Sequence, residues 1–232
     1  MTENLWPLIL TTFAFVAGHI GISSTPLRAR LVARMEQRPY LGAYSALMGV
    51  LMVLMILSYR MAPAAPTLWV APAGLRWVTL GLMLPASILL VIGLTAKNPT
   101  AVMQGEQARD ETAGRGALAV TRHPMLWAFA LWAIAHLLVN GDAASVILMG
   151  GVGLLALSGT VLIDAKRRAT DGEAWRSFAD RTSNVPFAAI IAGRAAFGSS
   201  GIGWTRIGGG VVLFVLLLLM HPLVIGVSPL PH

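Results

Sequence analysis

Six stretches of the chain are apolar almost without interruption, and short polar segments separate them. They cover roughly residues 5–23, 41–59, 77–96, 125–141, 145–163 and 207–227. About 20 apolar residues in helical form cross the hydrocarbon core of a bilayer. Each run is close to that length, with 125–141 the shortest. Lipid offers no partner to an unpaired N–H or C=O, so the backbone of such a run has to close its own hydrogen bonds, as a helix does. The pattern predicts an all-α membrane protein with six transmembrane helices. In the stretch 185–196, Asn184, Pro186 and Arg194 leave too short and too polar a segment for a seventh span. It reads as a helix lying at the membrane interface.

The polar gaps carry the charge, and they carry it unevenly. Arg28, Arg30, Arg34 and Arg38 follow the first run, and Lys97, Arg109, Arg115 and Arg122 follow the third. Lys166, Arg167, Arg168, Arg176, Arg181, Arg194 and Arg206 follow the fifth, which leaves only Arg60 and Arg76 for the other side. Fifteen of the seventeen basic residues therefore fall in alternate loops, and the positive-inside rule assigns those loops to the cytoplasm and both termini to the outside.

Three of the gaps predict further structure. Ser23-Ser24-Thr25-Pro26 is a helix-start signal, so residues 27–36 are expected to form a short basic helix on the cytoplasmic surface. The third loop, 98–121, is broken by Gly114-Arg115-Gly116 and is placed to lie as a lid over the cytoplasmic mouth of the bundle. The fifth, 164–205, is expected to be the longest segment outside the spans.

Composition narrows the function classes. Hydrophobic residues make up 56% of the 232 and charged residues 12%, about half the charged share of a soluble domain. The net charge of +7 is spread over loops and does not form a basic patch interleaved with aromatics, so it indicates topology and no nucleic acid partner. With no cysteine there is no disulfide, no thiolate metal site and no cysteine nucleophile. The N-terminal MTENLWPLIL lacks a basic leader and a cleavage site, so the first run is expected to remain as a helix. No internal repeat is visible, and residues 1–232 read as a single membrane domain in contact with lipid.

Histidines are the remaining chemistry. A polar group inside the membrane is expensive and marks a site unless it merely bonds a neighbouring helix. His19 sits late in the first run beside Gly18 and Gly21, which leave room for something flat. His136 lies deep in the fourth, with Trp132 four residues before it and Phe129 on the same face, an aromatic wall suited to a planar ligand. His123 belongs to Arg122-His123-Pro124 at the start of the fourth span, where a guanidinium, an imidazole and free backbone donors can hold an anion, or simply mark a basic boundary. His123 and His136 are separated by about 20 Å along the helix, too far to touch one small group. His221 stands beside Pro222 near the end of the last run, and His232 is the terminal residue.

Several motifs together resemble the NnrU family of bacterial membrane proteins. They are Gly18-His19 with Ser23-Ser24-Thr25-Pro26-Leu27-Arg28; Thr121-Arg122-His123-Pro124-Met125-Leu126-Trp127 leading to Ala130-Leu131-Trp132 and Ala135-His136; and Gly172-Glu173-Ala174-Trp175 leading to Arg181-Thr182-Ser183-Asn184-Val185-Pro186-Phe187-Ala188-Ala189. The resemblance implies a bacterial inner membrane protein linked to denitrification, to nitric oxide and nitrite reduction and to the enzymes that carry it out. The same signature extends to 15-cis-zeta-carotene isomerases, which are haem b proteins. That likeness implies haem b held by His19 and His136, with Arg122 and His123 toward the propionates, Trp132 along the ring, and redox or isomerase chemistry on a hydrophobic small molecule. One departure is that Ala133 stands where the isomerases have a cysteine, so a thiol-linked ligand switch is not implied. Counting along the helices puts His19 and His136 roughly 10 Å apart in depth, while His136 and His221 lie closer in level and form the second candidate pair.

A weaker resemblance runs to isoprenylcysteine carboxyl methyltransferases, which carry Arg-His-Pro at the start of a late span and bind S-adenosylmethionine. Their adjacent glutamate pair is replaced here by Asp164-Ala165. A cofactor-free accessory role in assembling denitrification enzymes is a further alternative. A transporter would more often show paired broken spans or a buried acidic relay, and neither is evident.

Overall fold

The structure, a computed structural model, describes residues 4–101, 104–110, 113–197 and 201–230, with backbone alone at Gly105 and Glu106. His232 lies outside the described residues. The fold is all helical, with no β-strand among them. Five helices are long and apolar enough to cross a membrane: α1 (Trp6–Ser23), α3 (Gln37–Arg60), α4 (Leu75–Thr95), α6 (Ala143–Asp180) and α8 (Trp204–Val224). The fourth apolar run forms α5 (Pro124–Val139), equally apolar but only 16 residues long. Leu54, Leu57, Val212, Leu216, Leu219 and Leu223 are among the many large apolar side chains left exposed, the covering that lipid rather than water requires.

The expected surface helix is present as α2 (Pro26–Met35). Thr25 caps it by accepting the N–H of Leu27, and Pro26 occupies the first turn, where a missing N–H costs nothing. Two expectations change. The fifth loop does not begin at Asp164, because α6 continues to Asp180 and turns at Gly172, whose φ of 54° suits a residue without Cβ. Its polar second half is helical without being apolar, so hydropathy alone could not reveal it. The segment 185–196 is not a long interfacial helix either. It holds a single turn, α7 (Ala188–Ile191), after Phe187, which takes a left-handed φ of 64°.

Successive spans alternate in direction along the chain and pack as a row, α8 on α4, α4 on α5, α5 on α6, α6 on α1 and α1 on α3, in which only the neighbours α6 and α1 run parallel. Close approach depends on small residues, as is usual between membrane helices. A Cβ on Gly210 would lie 2.5 Å from Cα of Ile88, one on Gly93 2.7 Å from Cβ of Met125, and one on Gly151 would meet Thr12. The hydroxyl of Thr79 also donates across from α4 to the carbonyl of Ala135 at 2.9 Å. The Arg-rich loops all gather at one end of the row, where Lys166 reaches the carbonyl of Ser23 and Arg206 the hydroxyl of Thr95. At the opposite end, Leu68 N–H donates to Gly141, and Asp142 caps α6 through Ser145.

The third loop does lie across the basic end, but as a packed layer. Its two 3-10 turns, Gly105–Arg109 and Gly116–Ala119, bury Ala108 and Leu118 against Trp175 and Phe178, and Ala117 and Val120 against Leu89, Ile92 and Ala128. Gly114 and Gly116 supply the positive φ values, 91° and 64°, for which the predicted break was placed.

Candidate functional site

Two polar centres emerge, at different depths. The deeper one consists of the intramembrane histidines. Nδ1 of His19 is 2.9 Å from the carbonyl of Phe15, and Nδ1 of His136 is 2.8 Å from that of Trp132. A carbonyl can only accept, so each Nδ1 carries the proton and each neutral ring keeps its lone pair on Nε2. This is the tautomer that a metal-ligating histidine adopts when a carbonyl orients it. His19 is further held between Phe15 and Tyr44, with ring centroids at 4.5 and 5.8 Å. His136 lies against Trp132 at 4.8 Å, so the aromatic neighbour expected from the i−4 spacing is in place. His221 repeats the pattern, with Nδ1 donating to Val227 at 2.7 Å.

Taken singly, the donor chemistry of His19 and His136 fits a haem iron. Their placement relative to each other is a separate matter. Both α1 and α5 pack on α6, through different residues: Gly151 meets Thr12, whereas Gly153 meets Ala133 and Gly159 meets Leu126. His19 lies seven residues beyond Thr12 toward the basic end, and His136 three residues beyond Ala133 toward the other. The two levels therefore differ by about 12 Å at 1.5 Å per residue. That depth agrees with the sequence estimate, but α6 stands between the two helices, and no ring or hydrogen-bond contact joins the two histidines. Among the described residues no three His, Asp or Glu side chains cluster as a metal cage. A metal here would rest on imidazoles plus the donors of a macrocycle.

The second centre lies at the basic end, where α5 begins, and it is densely bonded. The guanidinium of Arg122 grips Asp164 with Nε at 3.0 Å and Nη2 at 2.9 Å from Oδ2, and Nε2 of His123 is 2.7 Å from Oδ1. Arg122 also donates from Nη1 to the carbonyl of Ala179 and to Thr182, and its plane lies over Trp175, 5.8 Å from the ring centroid. The anion expected at Arg122 and His123 is thus supplied from within the chain, by a carboxylate 41 residues past the histidine. Proximity in sequence could not reveal it, since it requires α5 and α6 to form an antiparallel pair.

The motif segments that are far apart in sequence meet here. Arg122 N–H donates to Ser183, Phe187 N–H to Val120, Thr121 Oγ1 to the carbonyl of Asn184, and Trp127 Nε1 to the same carbonyl. Asn98 and Thr100 both donate to the carbonyl of Arg122. The side chain of His123 is wholly buried, and its Nδ1 has no partner among the described residues.

Comparison with known proteins agrees with this assembly of motifs. The chain is similar to the chloroplastic 15-cis-zeta-carotene isomerases of Zea mays, 40% identical over 81 residues, and of Arabidopsis thaliana, 37% identical over 81 residues. Each match covers 34% of this chain and only 22% of the relative, so the chain spans about a fifth of the length of the curated relatives it matches. No solved structure shows significant similarity. The family described as NnrU protein matches residues 7–229, nearly the whole helical row and both polar centres, and the chain belongs to the NnrU family.

Proposed function

We propose that this chain is a haem b-binding protein of the bacterial inner membrane. In this reading it crosses the membrane six times with both ends outside, and it performs redox or isomerase chemistry on a hydrophobic substrate in a setting linked to denitrification. The observation that carries the reading is the shared state of the intramembrane imidazoles, each with Nδ1 tied to a carbonyl and Nε2 left free. The isomerase named for the relatives supports the reaction class. Haem b would supply a redox centre or, with one ligand released, an open position. His136 is the common ligand in two pairings: with His19, as the resemblance implies, or with His221, whose level along the helices lies closer to its own.

An absorption spectrum of purified protein, expressed with ample haem, separates these pairings. A stoichiometric Soret band is expected, and its absence would remove the haem reading. His136→Ala should abolish the band, because a methyl group supplies no donor. Loss with His19→Ala and retention with His221→Ala assigns the first pair, and the reverse assigns the second. A band unaffected by His136→Ala would overturn both.

Orientation has its own test. α5 has only 16 residues, yet α4 and α6 beside it run the opposite way, and the fifteen-to-two distribution of basic residues follows from all six helices crossing. Reporter fusions after Arg60 should read as periplasmic, and fusions within the 164–205 region as cytoplasmic. A cytoplasmic signal after Arg60 contradicts the orientation.

A further inference from the structure

Nδ1 of His123 and Nε1 of Trp175 are buried without partners, but both are enclosed and open to no ligand. The charge left uncompensated at the basic end lies elsewhere, at the corner where α1 gives way to α2 beside α6. Nζ of Lys166 reaches across from α6 to the carbonyl of Ser23, the last residue of α1, at 3.4 Å. Arg28 stands in the first turn of α2, its N–H bonded to the carbonyl of Thr25. Its guanidinium lies over the ring of Tyr40, 5.6 Å from the centroid, and donates to the amide oxygen of Gln37 at 3.4 Å. Other cations at this end have carboxylates, as Arg122 has Asp164, Arg167 has Asp171 and Arg176 has Glu173. Among the described residues, no carboxylate lies within ion-pair distance of Lys166 or Arg28.

Both side chains are half-buried, so each charge has given up part of its hydration. Lys166 lies past the apolar part of α6, outside the hydrocarbon. Burial holds the pKa of its ammonium below the usual value, and the positive charges of Arg28 and Arg167 lower it further, against the opposing carboxylate of Asp171. Two helices thus bring cations together with no anion to separate them. The position decides what anion would come. Ser23 ends the first span and α2 follows at once, so the corner stands at the level of lipid head groups. Leu27, beside Arg28, and Met35, at the other end of α2, are exposed apolar flanks for acyl chains. Basic pockets between membrane helices are recurrent sites for anionic lipid heads.

We propose that Arg28 and Lys166 hold the phosphate of one anionic phospholipid, from the leaflet at the basic end, at the joint between α1 and α6. The ammonium acts as a point charge and the guanidinium as a planar fork, and the phosphate oxygens accept from both. The lipid replaces a repulsion by two charge-assisted contacts and ties α2 to α6. The site uses none of His19, His136 or His221, so it stands apart from the haem reading.

The test is native mass spectrometry and thermal denaturation of the full chain in a neutral detergent, with phosphatidylglycerol or phosphatidylcholine of the same acyl chains added. One phosphatidylglycerol should stay bound and raise the midpoint, and phosphatidylcholine should do neither. Lys166→Met and Arg28→Gln should each weaken that binding about fivefold, the worth of one cation at an anionic lipid surface. Arg34→Gln removes an exposed charge from the same α2 and should leave binding unchanged. Without lipid the order inverts, and Lys166→Met should melt above the wild type because a half-buried, uncompensated charge is gone. An equal loss with Arg34→Gln would show diffuse attraction to a basic surface and overturn the site. Undiminished binding in Lys166→Met and Arg28→Gln overturns it as well. So does inorganic phosphate that stabilises as much as the lipid, the result expected of a free-anion site. The two replacements lie on different helices, so a folding failure in one leaves the other to decide.

Discussion

Asp164→Leu should lower the unfolding free energy by about 3–5 kcal/mol, the usual cost of removing one partner from a buried ion pair. The loss exceeds that of an ordinary surface salt bridge because the partners cannot recover solvation. The side chain of Arg122 is 12% exposed and that of His123 is fully buried. Arg122 would keep its bonds to Ala179 and Thr182, but its charge would be uncompensated. The triple variant Arg122→Met, His123→Leu, Asp164→Leu should recover much of the loss, since an apolar replacement of a whole buried ion cluster is often close to neutral. Thermal denaturation in detergent, followed by circular dichroism, checks both. A change below about 1 kcal/mol for Asp164→Leu would mean that the cluster is solvated like a surface pair.

Gly93→Ala and Gly81→Ala should act with opposite signs although they lie on the same helix. The Cβ added at position 93 would sit 2.7 Å from Cβ of Met125 and 2.9 Å from its backbone, which cannot yield without moving the first turn of α5. Overpacking of that kind costs about 1–3 kcal/mol. The displacement would also draw His123, two residues before Met125, away from Asp164. At Gly81 nothing lies within 4 Å of the new atom, so the gain in helix propensity acts alone and should stabilise by about 0.5–1 kcal/mol. Denaturation midpoints of the two variants measure the contrast, and loss at both positions would mean that α4 contacts something at Gly81 beyond this chain.

Much of the fold was legible because lipid imposes a simple rule. The apolar runs at 5–23 and 77–96 became α1 and α4 with ends within a few residues, and Thr25-Pro26 announced α2 through cap chemistry. What escaped the pattern lies outside the hydrocarbon. The second half of α6 is polar and turns at a glycine, and the stretch after Pro186 forms a single helical turn whose start is tied to the third loop by the Phe187 N–H donating to Val120. The sites divide in the same way. His19, His136 and Trp132 could be chosen from spacing along one helix, where i and i−4 share a face. The link from His123 to Asp164 depends on how two helices are aligned, and no local periodicity encodes that. The orphaned nitrogens of His123 and Trp175 are further removed still, since being unpartnered is a property of everything around an atom.

The order of helices in the row differs from their order in the chain, and this bears on how the protein is made. α1 and α3 pack on each other and on α6, yet α6 is the fifth long element to leave the ribosome, after α4 and α5, which pair with each other. The first two spans would therefore wait in the bilayer as a separate pair, with the Thr12 ridge of α1 facing lipid until Gly151 arrives. A nascent chain halted before residue 143 would hold two unconnected hairpins, and insertion of α6 would be the event that joins them.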